Sequence, residues 1–189
     1  GLTIIIVHGG GPRIKIELAK LNIKSQFING LRVTSEQTMR VVEKALIDFN
    51  SEIIEKLEKK ECKADGLNVS QNNIFIVEQE NKDLGFVGRP KKILNEKIQT
   101  IIDRQQIPII SPMGKDEEGK KYNINADTAA AAIAKSLKSR RLLLMTDVAG
   151  VYDGSKKLIN EINPVEAKNL INKKIVEGGM IPKLLNSID

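Results

Sequence analysis

Apolar and polar positions along the chain predict strands followed by helices. Two nearly continuous apolar runs, residues 2–7 and 107–111, are typical of strands buried on both faces, and residues 142–145 predict a third. A helix is predicted from Gly11 to about Lys20, directly after the first run. Strands that alternate with helices favour an α/β fold with a mainly parallel sheet.

Helical spacing predicts five further helices. The longest has apolar residues three and four apart from Met39 to Leu57, and Thr34 with Gln37 forms its predicted capping box. The others cover residues 94–102, 127–137 and 165–173, and the last begins near Gly179.

The remaining segments predict short strands. Residues 25–34 should form two extended pieces around the turn pair Asn29-Gly30. Residues 62–93 lack helical periodicity and contain the β-like runs 74–77 and 84–87, so we expect a small strand-rich excursion there.

The composition limits which chemistry is available. A single cysteine, Cys62, argues against an internal disulfide and a Cys-rich zinc site. A single histidine, His8, argues against a histidine metal cluster, and any Ser-His-Asp triad would have to use it. The formal net charge is +6, but the lysines are scattered and aromatic residues are only 3%, which favours a solvated surface over nucleic-acid binding. With no apolar stretch of membrane-spanning length and no signal-peptide pattern, we expect a cytoplasmic protein without a membrane partner.

Three consecutive glycines follow the first predicted strand and precede a helix. Gly9, Gly10 and Gly11 allow backbone amides to approach an anion, and the helix N-terminus favours negative charge, although a plain tight turn is the alternative. A second glycine pattern, residues 114–121, resembles a Walker A loop but ends in Lys121 instead of Ser or Thr. We interpret that segment as an exposed hairpin.

Polar residues recur in four loops that follow strands or begin helices. Arg32 lies between a turn and a helix, Asn123 and Asp127 precede an alanine-rich helix, and Lys183 lies one turn after Gly178-Gly179. Each alone has an ordinary alternative: a surface arginine, a helix cap or a solvated lysine. Together with the loop at residues 146–153, they suit a site for two anionic ligands without a nucleophile, a general base or a metal cluster. Phosphoryl transfer requires that inventory, because it depends on positioning and charge stabilisation.

The ordered motifs resemble the amino acid kinase family, and most specifically its acetylglutamate kinases. They are HGGGP (8–12), NGLRVT (29–34), LGFVG (84–88), NINADTAA (123–130), TDVAGV (146–151) and GGMIPK (178–183). The resemblance implies a three-layer α/β/α sandwich and ATP-dependent phosphorylation of the γ-carboxylate of N-acetyl-L-glutamate, a step of arginine biosynthesis. It also implies one domain over residues 1–189, with an amino-acid-binding half (1–125) and a nucleotide-binding half (126–189).

The resemblance further implies roles for individual residues. Gly10 and Gly11 would meet the substrate and the transferring phosphoryl group, Arg32 would bind the α-carboxylate and Asn123 would hold the acetylglutamate. Lys183 would stabilise charge on the phosphoryl group, and Asp127 would orient the catalytic lysines. The nucleotide would be lined by Asp147, Val148, Ala149, Gly150, Val151, Tyr152, Ile175, Val176 and Glu177. Magnesium would arrive with ATP, without a protein-held metal.

The chain also departs from the family pattern. The family has an earlier Lys-x-Gly-Gly strand and further elements after the last helix, so we expect these 189 residues to be the middle of a longer kinase. Residues 66–71 are Gly-Leu-Asn-Val-Ser-Gln where the family usually has Gly-Leu-Ser-Gly-Lys-Asp, so the departure covers Asn68 to Gln71. Glu61-Cys62 stand where a glycine pair is usual. The alternatives are an aspartate, glutamate or UMP kinase, or a non-catalytic ligand-binding module. The resemblance implies a homo-oligomer, and no residue decides whether a PII-type signalling protein binds.

Overall fold

The computed structural model describes residues 2–188, which contain six α-helices and nine short strands. The helices are α1 (Gly11–Lys20), α2 (Glu36–Glu58), α3 (Asn95–Asp103), α4 (Ala126–Ser136), α5 (Pro164–Asn172) and α6 (Met180–Ile188). The strands are β1 (Ile6–Val7), β2 (Phe27–Ile28), β3 (Leu31–Arg32), β4 (Ala64–Leu67), β5 (Phe75–Gln79), β6 (Gly88–Ile93), β7 (Ile107–Ile110), β8 (Met113–Lys115) and β9 (Lys121–Asn123). The predicted α/β class is confirmed.

The central sheet is parallel and has the order β1-β7-β4. Ile109 of β7 pairs with Ile6 on one side and with Gly66 on the other. Because all three strands run in the same direction, the loops that follow them meet at one edge, where α/β proteins usually bind ligands.

Helices cover both faces of this sheet and complete the predicted three layers. Successive residues of β4 show the two faces, because side chains alternate along a strand. Gly66 faces α2, where an added Cβ would lie 2.9 Å from Ile54 Cδ1, whereas Leu67 packs with Ile98 of α3 and Ile133 of α4. A second apolar cluster joins α1 to α2 on the Gly66 side.

Two further sheets lie outside the central one. Strands β2 and β3 form a hairpin around Asn29-Gly30, as predicted. The other sheet has the order β6-β5-β8-β9, and its β8–β9 hairpin contains the Walker-like segment 114–121. That segment is the expected hairpin, whose turn is held by Asp116 Oδ1 accepting from the amides of residues 118 and 120.

Three local predictions were wrong. Ser35, not Thr34, caps α2, and its side chain accepts a hydrogen bond from the Thr38 amide. Thr34 is fully buried and its hydroxyl donates to the Arg32 carbonyl. Residues 84–87 form no strand, since Lys82–Leu84 is a short 3-10 helix, and β4 belongs to the central sheet instead of to an excursion.

Two predicted buried strands are exposed or shorter than expected. Only Ile6–Val7 of the first run is a strand, and Leu2 is 87% exposed. Residues 142–145 form no strand, and Leu143 and Met145 are 78% and 87% exposed. Within residues 2–188 neither of these two runs has a neighbouring strand on both sides. Their apolar composition alone was therefore not enough to bury them. Helices long and apolar enough to cross a membrane are absent from the same residues.

Candidate active site

One pocket contains all four residues predicted to bind the amino-acid substrate. It encloses about 210 Å³ at the carboxyl end of the central sheet, between the glycine loop, the β2–β3 hairpin and the start of α4. Gly10, Gly11, Arg32 and Asn123 all line it. The structure therefore brings together residues from three segments that are far apart in sequence.

The glycine loop is fixed closely against α2. Gly10 directly precedes α1, and a Cβ added to it would lie 2.6 Å from Leu46 Cδ2, a buried side chain of α2. Pro12 occupies the first turn, where its missing N–H costs no helical hydrogen bond. The first amides of a helix have no partner within it, and its dipole favours an anion there. The loop can therefore accept a carboxylate or phosphoryl oxygen.

Arg32 is a buried cation in the pocket wall. Its guanidinium donates to Ser25 Oγ and, over 3.3 Å, to the Gly11 carbonyl, and its Cζ lies 4.7 Å from the centre of the Phe27 ring. Burial lowers the pKa of the Arg32 guanidinium, but an arginine begins so high that it keeps its proton. No carboxylate contacts it among the described residues. A ligand carboxylate is the natural partner for the remaining donors.

Asn123 is connected to Arg32 through Thr34. Its side-chain amide lies 3.4 Å from Thr34 Oγ1, and Thr34 Oγ1 lies 3.0 Å from the Arg32 carbonyl. The backbone N–H of Asn123 donates to the Phe86 carbonyl. These bonds hold an amide and a guanidinium on two walls of one pocket.

Lys183 and Asp127 form an ion pair between α6 and α4. Lys183 Nζ lies 2.8 Å and 3.0 Å from the two carboxylate oxygens of Asp127. Both side chains are about one-fifth exposed. One turn further along α6, Asn186 donates to Thr128 Oγ1. Because an ammonium group has three donors, this geometry leaves one Lys183 N–H for another acceptor.

The residues predicted to line the nucleotide are only partly brought together. Val151 packs against a cluster that contains Val176 and Leu184, and a Cβ added to Gly154 would lie 3.6 Å from Ile175 Cδ1. In contrast, residues 147–149 lie in an exposed bend and do not line the pocket described above. A nucleotide role for the loop stays a prediction.

The tip of the β2–β3 hairpin contacts the loop before α6. Gly30 has a φ of +80°, and an added Cβ would lie 2.8 Å from the Gly178 carbonyl oxygen and 3.2 Å from Pro182 Cδ. Only glycine adopts this φ without strain. The contact joins the wall that holds Arg32 to the helix that holds Lys183.

Substitution of Gly30 by alanine is expected to open this contact. The Gly30→Ala change places a methyl group against the Gly178 carbonyl and adds the ~1–2 kcal/mol strain of a left-handed residue. We expect weaker binding of the amino-acid substrate, measured by calorimetry. The control is Gly119→Ala, because Gly119 has a φ of +85° but no atom within 4 Å of its added Cβ. Equal losses of affinity in both variants would contradict a specific role for the contact.

His8 is the buried neighbour of the glycine loop, and within residues 2–188 its side chain pairs with Asn50 and the Gly9 carbonyl and with no serine. Its Nε2 lies 3.1 Å from Asn50 Nδ2, and its Nδ1 lies 3.0 Å from the Gly9 carbonyl oxygen. Burial lowers the pKa of His8, the Gly9 hydrogen bond partly offsets this, and the charge of Arg13 lowers the pKa further. The ring is therefore neutral at pH 7 and is not part of a Ser-His-Asp triad.

The lowered pKa of His8 gives the free energy of unfolding a pH dependence. His8 takes up a proton near pH 6.5 in the unfolded chain and only at lower pH in the folded chain. The stability that neutral His8 contributes is therefore fully present above pH 6.5 and is lost as pH falls through the pKa of the folded state. We expect wild type to lose stability faster than His8→Gln below pH 6.5, with a slope difference of at most about 1.4 kcal/mol per pH unit. Urea unfolding at several pH values measures it, and parallel curves would contradict the prediction.

Sequence patterns missed several residues around the pocket. Ser25 and Phe27 contact the Arg32 guanidinium, and Leu46 packs under Gly10. Asn50 could have been noticed, because it is a polar residue four positions after Leu46 on the buried face of α2. The partners of Arg32 gave no comparable signal, since they depend on the folding of the hairpin.

Comparison with known proteins agrees with this fold. The sequence model of the amino acid kinase family matches residues 1–189, and this chain belongs to that family. It is 52% identical over 189 residues to the acetylglutamate kinase of Pelagibacter ubique, covering 100% of this chain and 66% of that protein. It is 43% identical over 199 residues to the acetylglutamate kinase of Caldicellulosiruptor saccharolyticus, covering 100% of this chain and 68% of that protein. The chain thus spans about 66% of the length of the Pelagibacter relative.

Solved structures share the same architecture. The crystal structure of smu.665 from Streptococcus mutans superposes with a TM-score of 0.91 at 33% identity, covering 96% of this chain and 75% of that one. N-acetylglutamate synthase from Neisseria gonorrhoeae superposes with a TM-score of 0.80 at 18% identity, covering 98% of this chain and 43% of that one. At that identity the second likeness shows the fold alone.

Proposed function

We propose that the protein containing these residues transfers the γ-phosphoryl group of ATP to the γ-carboxylate of N-acetyl-L-glutamate. The product is N-acetylglutamyl phosphate, an intermediate of arginine biosynthesis. The observation that carries the proposal is the pocket in which Arg32, Asn123 and the glycine loop converge. Identity of 52% to an acetylglutamate kinase across all 189 residues supports this substrate over aspartate, glutamate or UMP.

The pocket provides separate groups for the two ends of the acceptor. The Arg32 guanidinium can bind the α-carboxylate through two parallel hydrogen bonds, and Asn123 can hold the acetylated amino group. These contacts direct the γ-carboxylate towards the amides of Gly10 and Gly11. The acceptor oxygen then lies beside the helix N-terminus, where negative charge is stabilised.

The other half of the chain provides the groups for the phosphoryl donor. Lys183 is oriented by Asp127 and can donate its remaining N–H to an oxygen of the transferring phosphoryl group. We propose that residues 147–152 and 175–177 line the nucleotide. Mg²⁺ would bridge the ATP phosphates and neutralise their charge. The division into an acceptor half (1–125) and a nucleotide half (126–189) belongs to the same proposal.

The test is the acceptor specificity of the purified full-length protein. ATP consumption should depend on added N-acetyl-L-glutamate and on Mg²⁺, with acyl phosphate detected by its reaction with hydroxylamine. Turnover of aspartate, glutamate or UMP, with none of acetylglutamate, would contradict this proposal and show that the protein is another kinase of the same family. Calorimetric binding of acetylglutamate without turnover would indicate a non-catalytic module. A homo-oligomer stays a prediction from the resemblance, and a cytoplasmic location stays a prediction from the sequence composition. No residue decides whether a PII-type signalling protein binds.

A further inference from the structure

A buried hydrogen-bond chain links α2 to the glycine loop. Asn50 of α2 is 2% exposed, and its Nδ2 donates to the Ile109 carbonyl over 2.9 Å. The same nitrogen lies 3.1 Å from Nε2 of His8, which is 6% exposed and directly precedes Gly9. Neither Asn50 nor His8 has a part in the transfer proposed above.

The geometry determines which nitrogen of His8 carries the proton. The Ile109 carbonyl can only accept, so Nδ2 of Asn50 must face it, and the second N–H of Nδ2 is directed to His8 Nε2. Nε2 must therefore be the acceptor. The single proton of the neutral ring is then on Nδ1, from which it is donated to the Gly9 carbonyl over 3.0 Å.

The surroundings prevent Asn50 from reversing this pattern. A Cβ added to Gly66 would lie 2.5 Å from Asn50 Oδ1, so β4 is packed tightly against the amide oxygen. Rotating the amide would also place its oxygen against the Ile109 carbonyl oxygen. A doubly protonated His8 would direct an N–H at the Asn50 donor, and the bond between them would be lost.

Charges near His8 act in the same direction. The ring of Phe49 packs edge-on to His8 with centroids 5.2 Å apart, and the Arg13 guanidinium lies 4.2 Å from the centre of the Phe49 ring. Arg13 is paired with Glu52 of α2. The positive charge of Arg13 disfavours a positive charge on the nearby imidazole.

We infer that Asn50 is a positioning residue: it holds His8 as the neutral Nδ1–H tautomer, and His8 in turn fixes the Gly9 peptide of the glycine loop. Because the carbonyl of Gly9 and the amide of Gly10 belong to one peptide plane, fixing the first also directs the second. The effect on catalysis rests on the proposed function, whereas the tautomer does not depend on it.

The first experiment reads the tautomer directly in the full-length protein. With ¹⁵N-labelled histidine, NMR should show His8 as the Nδ1–H form, with no ordinary titration near pH 6.5. The 189 residues contain one histidine, and loss of the signal in His8→Gln identifies it. An Nε2–H ring, or titration at the ordinary pKa, would overturn the inference, whatever reaction the protein catalyses.

The second experiment asks whether Asn50 acts through His8. Asn50→Asp keeps the shape but replaces the donor by a carboxylate, which raises the pKa of His8 and favours the charged ring. We expect kcat/KM for acetylglutamate to fall roughly 10- to 100-fold at high pH, where the neutral ring keeps its proton on Nε2 beside the new carboxylate and cannot donate to Gly9. It should recover partly at lower pH, where the charged ring carries an Nδ1–H again. A purely structural loss would show no such recovery.

Two further variants separate positioning from stability. Asn50→Leu cannot donate or attract a proton to Nε2, so we expect a mixture of His8 tautomers and reduced activity without the pH-dependent recovery of Asn50→Asp. Val42→Ala removes a fully buried apolar group from the same helix and should lower stability while leaving the tautomer and the pH profile unchanged. If Asn50→Asp and Val42→Ala show the same pH profile, the inference is wrong. The tautomer of wild type remains decisive even if an Asn50 variant does not fold.

Discussion

Replacing Lys183 with alanine should lower kcat by roughly 10²- to 10³-fold, by analogy with the removal of one donor that stabilises transition-state charge. The KM for acetylglutamate should change much less, because Lys183 is proposed to contact the phosphoryl group and not the acceptor. Asp127 holds Nζ through both of its oxygens, so the ammonium group is already oriented before ligands bind. Steady-state kinetics with ATP and acetylglutamate varied separately measures the effect.

Two controls test whether the charge of Lys183 acts on the substrate. Lys168→Ala removes an exposed lysine of α5 and should leave kinetics unchanged. Lys183→Ala combined with Asp127→Asn leaves no unpaired carboxylate, and we expect it to be no more active than the single variant. Recovery of activity in the double variant would mean that Lys183 only neutralises Asp127.

Replacing Arg32 with alanine should raise the KM for acetylglutamate roughly 10- to 100-fold with little change in kcat. The estimate follows from about 1.5–3 kcal/mol for a hydrogen bond to a charged group, since 1.4 kcal/mol is a factor of ten. A carboxylate clamp binds the ground state and the transition state alike, so its loss weakens binding but not the chemical step. Calorimetry of acetylglutamate binding should show the same loss as KM.

The geometry of the guanidinium can be tested separately from its charge. Arg32→Lys keeps the charge but cannot reach Ser25, the Gly11 carbonyl and a carboxylate in the same planar arrangement, so it should recover only part of the affinity. Arg40→Ala, an exposed arginine of α2, is the surface control. A large fall in kcat at unchanged KM would show that the proposed role of Arg32 is wrong.

Much of the fold could be predicted because it is encoded locally. The helix after the glycine loop, the turn at Asn29-Gly30 and the buried strand at residues 107–110 depend on spacing and turn residues within a few positions. The cap of α2 was misplaced by one residue, because Thr34 and Ser35 are both good capping residues. Only tertiary structure decided between them, by burying Thr34 beside Arg32.

Features that depend on distant parts of the chain were not predictable. Residues 142–145 have the composition of a buried strand, but burial requires neighbouring strands that the sequence pattern does not report. Asn50 and His8 are 42 positions apart in sequence. The contact of Gly30 with Gly178 joins the β2–β3 hairpin to the loop before α6. The motifs did group Gly10, Gly11, Arg32 and Asn123, which all line one pocket, because motif resemblance carries information about the assembled site.

The contact between Gly30 and Gly178 has a consequence for how strongly the two ligands affect each other's binding. The hairpin that carries Arg32 cannot move outward without separating from the loop before α6. A nucleotide bound as proposed, against this loop, should therefore tighten the binding of the acceptor, and the acceptor should in return tighten nucleotide binding by the same factor. One close approach of two glycines would thus make the two sites thermodynamically coupled.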